Sequence, residues 1–296
     1  MDAALLEQPR DRRFDLPDRG GVMTAMEMGP RERPVDIVFC HANGFNALTY
    51  RSILEPLARD CRILAINMRG HGTCELPAQV EGRTSWLDLR DDLVALLNAL
   101  AEPPVVVAGH SMGGATGLMA EAIVPSRVRS LVLFDPVIMP KGSRPGPDSA
   151  EIGASPLVQG ALKRRAVFPS REAALEAYRG RGAFRTWSEE QLADYVAGGF
   201  RDRPDGDVEL ACAPQWEASN FSSHTHDAWG AFFTGRAPIR IFRAEHGSTC
   251  RIDGHEDELL ATGRVRLEMV PDSSHFLPME RPDLVRDALR EAVSQR

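Results

Sequence analysis

The stretch Gly109-His110-Ser111-Met112-Gly113 sets a hydroxyl between two glycines, after the apolar run Val105–Ala108 and before helix-friendly sequence. Glycine-x-serine-x-glycine on a strand, a sharp turn and a helix is an arrangement that exposes a serine as a nucleophile. The glycines keep neighbouring side chains out of a strained turn. The helix points its first amides, beginning with that of Met112, at the place where negative charge develops. A serine hydroxyl attacks only when a base removes its proton. The base in turn needs a carboxylate to fix its tautomer. The chemistry implied is acyl transfer through Ser111, completed by one of eight histidines and one carboxylate.

Such a serine must stand at the end of a buried strand, and the chain supplies a series of them. Apolar runs at Val22–Met28, Val35–Cys40, Ile63–Asn67, Val105–Ala108, Val128–Phe134, Ile239–Arg243 and Val265–Val270 read as strands. Helical periodicity fills the gaps at Thr49–Arg59, Ser85–Ala101, Met112–Val124 and Asp283–Ser294. The alternation predicts an α/β protein with a mostly parallel, doubly wound sheet, and the closely spaced first strands predict an antiparallel edge. The regularity stops between Val137 and Ala237. That segment holds loop signals (KGSRPGPDSA, GGFRDRPDGD) and helix-like pieces at Arg171–Arg179 and Ser188–Ala197, but no strand pattern. The chain therefore divides into a core, 1–136 with 238–296, and a helical insertion, 137–237.

With 296 residues, 43% hydrophobic and 26% charged, the chain can bury a large core. A net charge of −7 argues against nucleic acid or an anionic membrane as partner. Five widely spaced cysteines without a Cys-x-x-Cys pair or a His/Cys cluster predict reduced, buried thiols and no metal site. The start, MDAALLEQPRDRRF, lacks the apolar stretch of a signal peptide, so a cytoplasmic location is expected, as a monomer or homodimer.

With the serine motif and these strands, the chain resembles the α/β-hydrolase superfamily. His41-Ala42-Asn43-Gly44-Phe45 resembles its H-G-x oxyanion loop, with Ala42 in place of the glycine. Asn67-Met68-Arg69-Gly70-His71-Gly72 resembles its D-x-R-G-H-G turn, with Asn67 in place of aspartate. The stretch from Asp272 through His275 to Glu280 resembles the loop bearing its catalytic histidine. The resemblance implies His275 as base and the amides of Met112 and Asn43 as oxyanion donors. His110 is expected to point away from Ser111 across the turn, His41 and His71 to order loops, and His224 and His226 to lie in solvated loops.

The acid is where the chain departs from the pattern. Most of the superfamily places it after the strand that follows the insertion, in G-E-x-D, but here Ala244-Glu245-His246-Gly247 puts Gly247 at that position. A minority takes it from the strand after the nucleophile helix, where Asp135 ends Leu131-Val132-Leu133-Phe134. The resemblance thus leaves two candidates, Asp135 and, as alternative, Glu245.

The insertion fits the helical cap of many members, and its Trp187, Trp216, Phe221 and Trp229 are candidate walls of an apolar pocket. The resemblance implies a cofactor-independent serine hydrolase acting on a small-molecule hydrophobic ester or lactone. Alternatives are a C–C bond hydrolase of aromatic ring-cleavage products, with Arg164, Arg165, Arg171 or Arg185 receiving a carboxylate, and a non-catalytic ligand-binding protein on the same scaffold.

Overall fold

The computed structural model describes residues 8–100, 103–143 and 155–295. Residues 1–7 of the stretch MDAALLEQPRDRRF, Ala101 of the helix expected to end there, and KGSRPGPDSA from Arg144 onward lie outside the described residues.

In chain order the strands are β1 (Arg10–Leu16), β2 (Gly21–Met28), β3 (Ile37–Cys40), β4 (Ile63–Asn67), β5 (Val105–His110), β6 (Val128–Phe134), β7 (Val167–Phe168), β8 (Phe200–Asp202), β9 (Val208–Leu210), β10 (Ile239–His246) and β11 (Val265–Ser274). Eight form one sheet in the order β1-β2-β4-β3-β5-β6-β10-β11. The β1–β2 and β2–β4 pairs are antiparallel and the other pairs parallel, which is the α/β sheet with an antiparallel edge expected from the sequence.

The strand side chains alternate between two cores. Val38 and Cys40 of β3, with Val105 and Val107 of β5, face one. Ile37 and Phe39, with Val106 and Ala108, face the other. Central strands buried on both faces read in sequence as continuous apolar runs. The helix Leu87–Ala99 covers one face with Leu89, Leu93, Leu96 and Leu97, and the helix Pro282–Ser294 covers the other with Val285, Ala288 and Leu289. The helix expected over Thr49–Arg59 breaks instead into short turns between Leu48 and Leu57, with Pro56 interrupting it.

Between β6 and β10 the described chain contributes no strand to the main sheet. It forms helices at Pro156–Leu162, Arg171–Tyr178, Glu189–Gly199, Pro214–Ser222 and Ala228–Thr234. It also forms a small antiparallel sheet, β7-β9-β8, where the sequence reading had no strand. Strands of two or three residues are too short to show a period of two, and that corrects the all-helical expectation. Among the described residues no helix is long and apolar enough to cross a membrane. All five cysteines are free and buried.

Candidate active site

Ser111 follows β5 directly and caps the helix Met112–Ile123, with φ 57 and ψ −120. A non-glycine residue in that region carries about 1–3 kcal/mol of strain, which its surroundings must impose. They do so by close packing. A Cβ on Gly109 would lie 2.5 Å from the backbone carbon of Gly113, and one on Gly113 would lie 2.3 Å from the carbonyl oxygen of Cys40. The glycines are required because strand, turn and helix backbones touch there.

His275 stands just past β11 and presents Nε2 3.0 Å from Ser111 Oγ. Its Nδ1 lies 2.6 Å from Oδ2 of Asp135, which follows β6 at φ 43 and is fully buried. Three residues far apart in sequence thus meet as a serine, an imidazole and a carboxylate. Glu245 is not in this line: its exposed carboxylate accepts the Asp272 amide at 2.8 Å and lies beside His246.

Asp135 is heavily hydrogen-bonded. Its Oδ1 accepts the Ala244 amide at 3.0 Å and the Ser248 hydroxyl, and its Oδ2 accepts the Thr249 amide at 3.0 Å. Burial alone would raise its pKa; the bonds from His275, Ser248 and Thr249 outweigh burial and hold the carboxyl below its ordinary range. Ser248 and Thr249 follow Gly247, the position where the resemblance would have put the acid. That loop supplies donors to an acid on β6. The glycine at that position and the place of Asp135 at the end of β6 are the sequence features that match this geometry.

The loop 41–45 is fixed from both sides. The carbonyl of Ala42 accepts from His41 Nδ1 at 2.7 Å, and the Met68 amide donates to His41 Nε2 at 3.0 Å. The Gly44 amide donates to His71 Nε2 at 3.1 Å. Asn43 turns its side chain to the inserted segment: Nδ2 donates to the Glu217 carbonyl at 3.0 Å, and Oδ1 accepts from Asn220 Nδ2 at 2.8 Å. The backbone amides of Asn43 and Met112 donate to no acceptor among the described residues. Burial lowers the pKa of His41 to about 4, so it stays a neutral ring.

A model of the alpha/beta hydrolase family matches residues 37–288. The chain belongs to that family. It is similar to the peroxisomal membrane protein LPX1 of Saccharomyces cerevisiae, with 24% identity over 310 residues, 93% of this chain and 79% of the relative. It is also similar to the sn-1-specific diacylglycerol lipase ABHD11 of Mus musculus, with 26% identity over 265 residues, 86% of this chain and 79% of that protein. Among solved structures, E-2-(acetamidomethylene)succinate hydrolase matches with a TM-score of 0.77 at 20% identity, over 97% of this chain and 100% of that one. That likeness is one of fold.

The four aromatic residues expected to wall a pocket part ways in this alpha/beta hydrolase. Trp187 packs on Phe45 of the loop 41–45 (5.2 Å between ring centroids) and on Phe276, the neighbour of His275 (6.4 Å). Trp216 is only 2% exposed, lies against Gly70 and under Arg83, and donates Nε1 to the Arg69 carbonyl at 2.9 Å, so it packs the core rather than lining a pocket. Phe221 packs on Val158, Ala161 and Ala218, and Trp229 donates to the Met139 carbonyl at 2.7 Å. His224 and His226 pack against Trp86 instead of standing in solvent. Among the arginines, Arg164 is neutralised by Glu217 at 2.6 Å and donates to the Tyr195 hydroxyl at 2.7 Å, while Arg171 pairs with Asp202.

Proposed function

We propose that the protein is a serine hydrolase that cleaves a carboxylic ester or lactone of a small to medium hydrophobic substrate. The observation that carries the reading is the continuous line from Ser111 Oγ through His275 to Asp135, with contacts of 3.0 and 2.6 Å. His275 Nε2 takes the hydroxyl proton as Ser111 attacks the substrate carbonyl. Asp135 holds the Nδ1 proton in place and balances the imidazolium that forms. The amides of Met112 and Asn43, which lack an acceptor among the described residues, receive the oxyanion. His275 then gives its proton to the departing alkoxide, and water clears the acyl-enzyme by the same steps in reverse. Residues 137–237 act in this reading as a cap. Phe45, Trp187 and Phe276 form an apolar wall shared by the loop 41–45 and the histidine loop, which suits a hydrophobic acyl group. The paired state of Arg164 and Arg171 leaves these arginines less suited to a substrate carboxylate than the C–C hydrolase alternative asks. The reading carries a cytoplasmic location, supported by five free cysteines.

The test is hydrolysis of p-nitrophenyl esters from acetyl to octanoyl by the wild type and by Ser111→Ala. Turnover is expected in the wild type, lower by a factor of at least about 10⁴ in the variant. A fluorophosphonate is expected to label only the wild type. Release that survives in Ser111→Ala would overturn the reading, and so would a folded wild type that neither turns over nor is labelled.

A further inference from the structure

His110 precedes the nucleophile in sequence, and its ring centroid lies 5.0 Å from that of His275. Its Nε2 lies 2.7 Å from the backbone carbonyl of His275, and its Nδ1 lies 2.7 Å from the hydroxyl of Tyr50. That hydroxyl accepts the Ala42 amide at 3.2 Å. Tyr50 and His110 are each fully buried.

The directions of these bonds are determined. A carbonyl only accepts, so His110 Nε2 carries a hydrogen, and the neutral ring presents Nδ1 as an acceptor. Tyr50 has one hydrogen, which goes to Nδ1 and leaves its lone pairs for the Ala42 amide. Every polar atom of the chain is then satisfied once, in one sense. A cationic His110 would turn Nδ1 into a second donor towards Tyr50 and leave the tyrosine hydrogen without this acceptor. Burial works against the cation.

The two ends of this chain are the two parts of the machinery that lie on different loops. Ala42 precedes Asn43, whose amide is an oxyanion donor in the reading above. His275 is the base. We propose that Tyr50 and His110 are positioning residues that tie the oxyanion loop to the backbone of His275, so that the oxyanion donor and the base keep a common register about Ser111. The proposal rests on the hydrolase reading for its effect on turnover, and on geometry alone for its effect on His275. The relay acts on main-chain groups at both ends, so its effect falls on kcat and leaves substrate affinity unchanged. A displacement of about 1 Å at a reacting group lowers rate by as much as a hundredfold.

Three variants dissect it. Asn in place of His110 offers an acceptor near Nδ1 but no donor to the His275 carbonyl; Gln offers a donor near Nε2; Tyr50→Phe releases the Ala42 amide. His110→Asn and Tyr50→Phe are expected to lower kcat about ten- to hundredfold while KM changes less than about twofold, with His110→Gln recovering part of the loss. The second readout is the low-field proton NMR signal of the His275 Nδ1–H bound to Asp135, which is expected to shift or broaden in His110→Asn. Thermal unfolding is followed in parallel. Variants that melt earlier but keep kcat and the low-field signal would overturn the proposal and leave a packing role only; so would a loss confined to KM. If the wild type shows no turnover dependent on Ser111, the hydrolase reading falls, and the NMR signal alone decides whether the relay positions His275.

Discussion

Asp135 shows how one buried carboxylate is kept both ionised and aimed. Removed from solvent, it would by burial alone favour the protonated form, yet three donors converge on its two oxygens besides His275: two backbone amides and the hydroxyl of Ser248. The amides cannot rotate away, so Oδ1 and Oδ2 have fixed directions. In Asp135→Asn the new NH₂ replaces either Oδ1, where it faces the Ala244 amide, or Oδ2, where it faces the Thr249 amide and His275 Nδ1. The first leaves two donors opposed at a buried site, as does the second, and either lowers stability by about 1–3 kcal/mol. The second makes Nδ1 an acceptor, which places the imidazole hydrogen on Nε2, where it cannot take the proton of Ser111. Turnover is expected to fall by about 10⁴, with folding retained by circular dichroism and a lower denaturant midpoint. Glu245→Gln, an exposed change away from His275, is expected to stay within about twofold of wild type in rate. Near-normal rate in Asp135→Asn with loss in Glu245→Gln would reverse the assignment.

At the scale of elements, the nucleophile turn exists because β5 and the helix Met112–Ile123 come together at glycines. A methyl on Gly113 meets the carbonyl oxygens of Cys40 and His41 at 2.3 and 2.6 Å, and neither strand backbone can yield without moving the loop that carries Asn43. Gly113→Ala is expected to lower stability by roughly 3 kcal/mol, at the upper end of overpacking, and to lower esterase activity in whatever protein remains folded. Unchanged melting and rate would show that helix and strand separate freely here. This turn was legible in the sequence because it combines an apolar run, paired glycines and a helix start within a dozen residues. The central strands were legible for the same reason, each a run buried on both faces. The edge strand β1, with sequence RDRRFDL, was not: it buries only Phe14 and Leu16, half-buries Arg10 and Arg12 on the same face and exposes Asp11, Arg13 and Asp15 on the other, so charge on both faces hides its alternation. Strands β7 to β9 are shorter than any period. Tyr50 and Thr249 left no trace either, since each meets the site through contacts distant in sequence that no local pattern encodes. Ser111 and His275 were singled out by the motifs they lie in. Asp135 was one of two candidates, and of the two it is the one that the fold brings to 2.6 Å from His275.

On the scale of the whole molecule, the charge state of the core is set by histidines that folding keeps neutral. Burial is the largest influence on His41, His71, His110, His224 and His226 and lowers the pKa of each, to about 4, 3 and 3 for His41, His110 and His226 from an ordinary 6.5. The sign of the consequence is the opposite of a histidine that gains an acidic partner. Below pH 6.5 the unfolded chain takes up a proton at each of these rings and the folded chain does not. Stability is therefore complete above that value and is lost progressively as pH falls towards the folded-state values. At pH 5.5 each ring accounts for a loss on the order of 1 kcal/mol, and the rings together for a few kcal/mol. That is a large part of the 5–15 kcal/mol typical of a folded domain. The buried carboxyls with lowered pKa values, Glu27 and Asp135, have ordinary values of 4.5 and 3.8, so their own loss of stability falls mostly below pH 5.5. Urea unfolding at pH 7.5 and 5.5 is expected to show this fall, accompanied by net proton uptake on unfolding. His226→Gln removes one of these rings at a distance from Ser111, and is expected to reduce the fall by about 1 kcal/mol. Equal stability at the two pH values would mean that these rings accept protons within the fold, and the neutral relay through His110 would then lose its physical basis along with them.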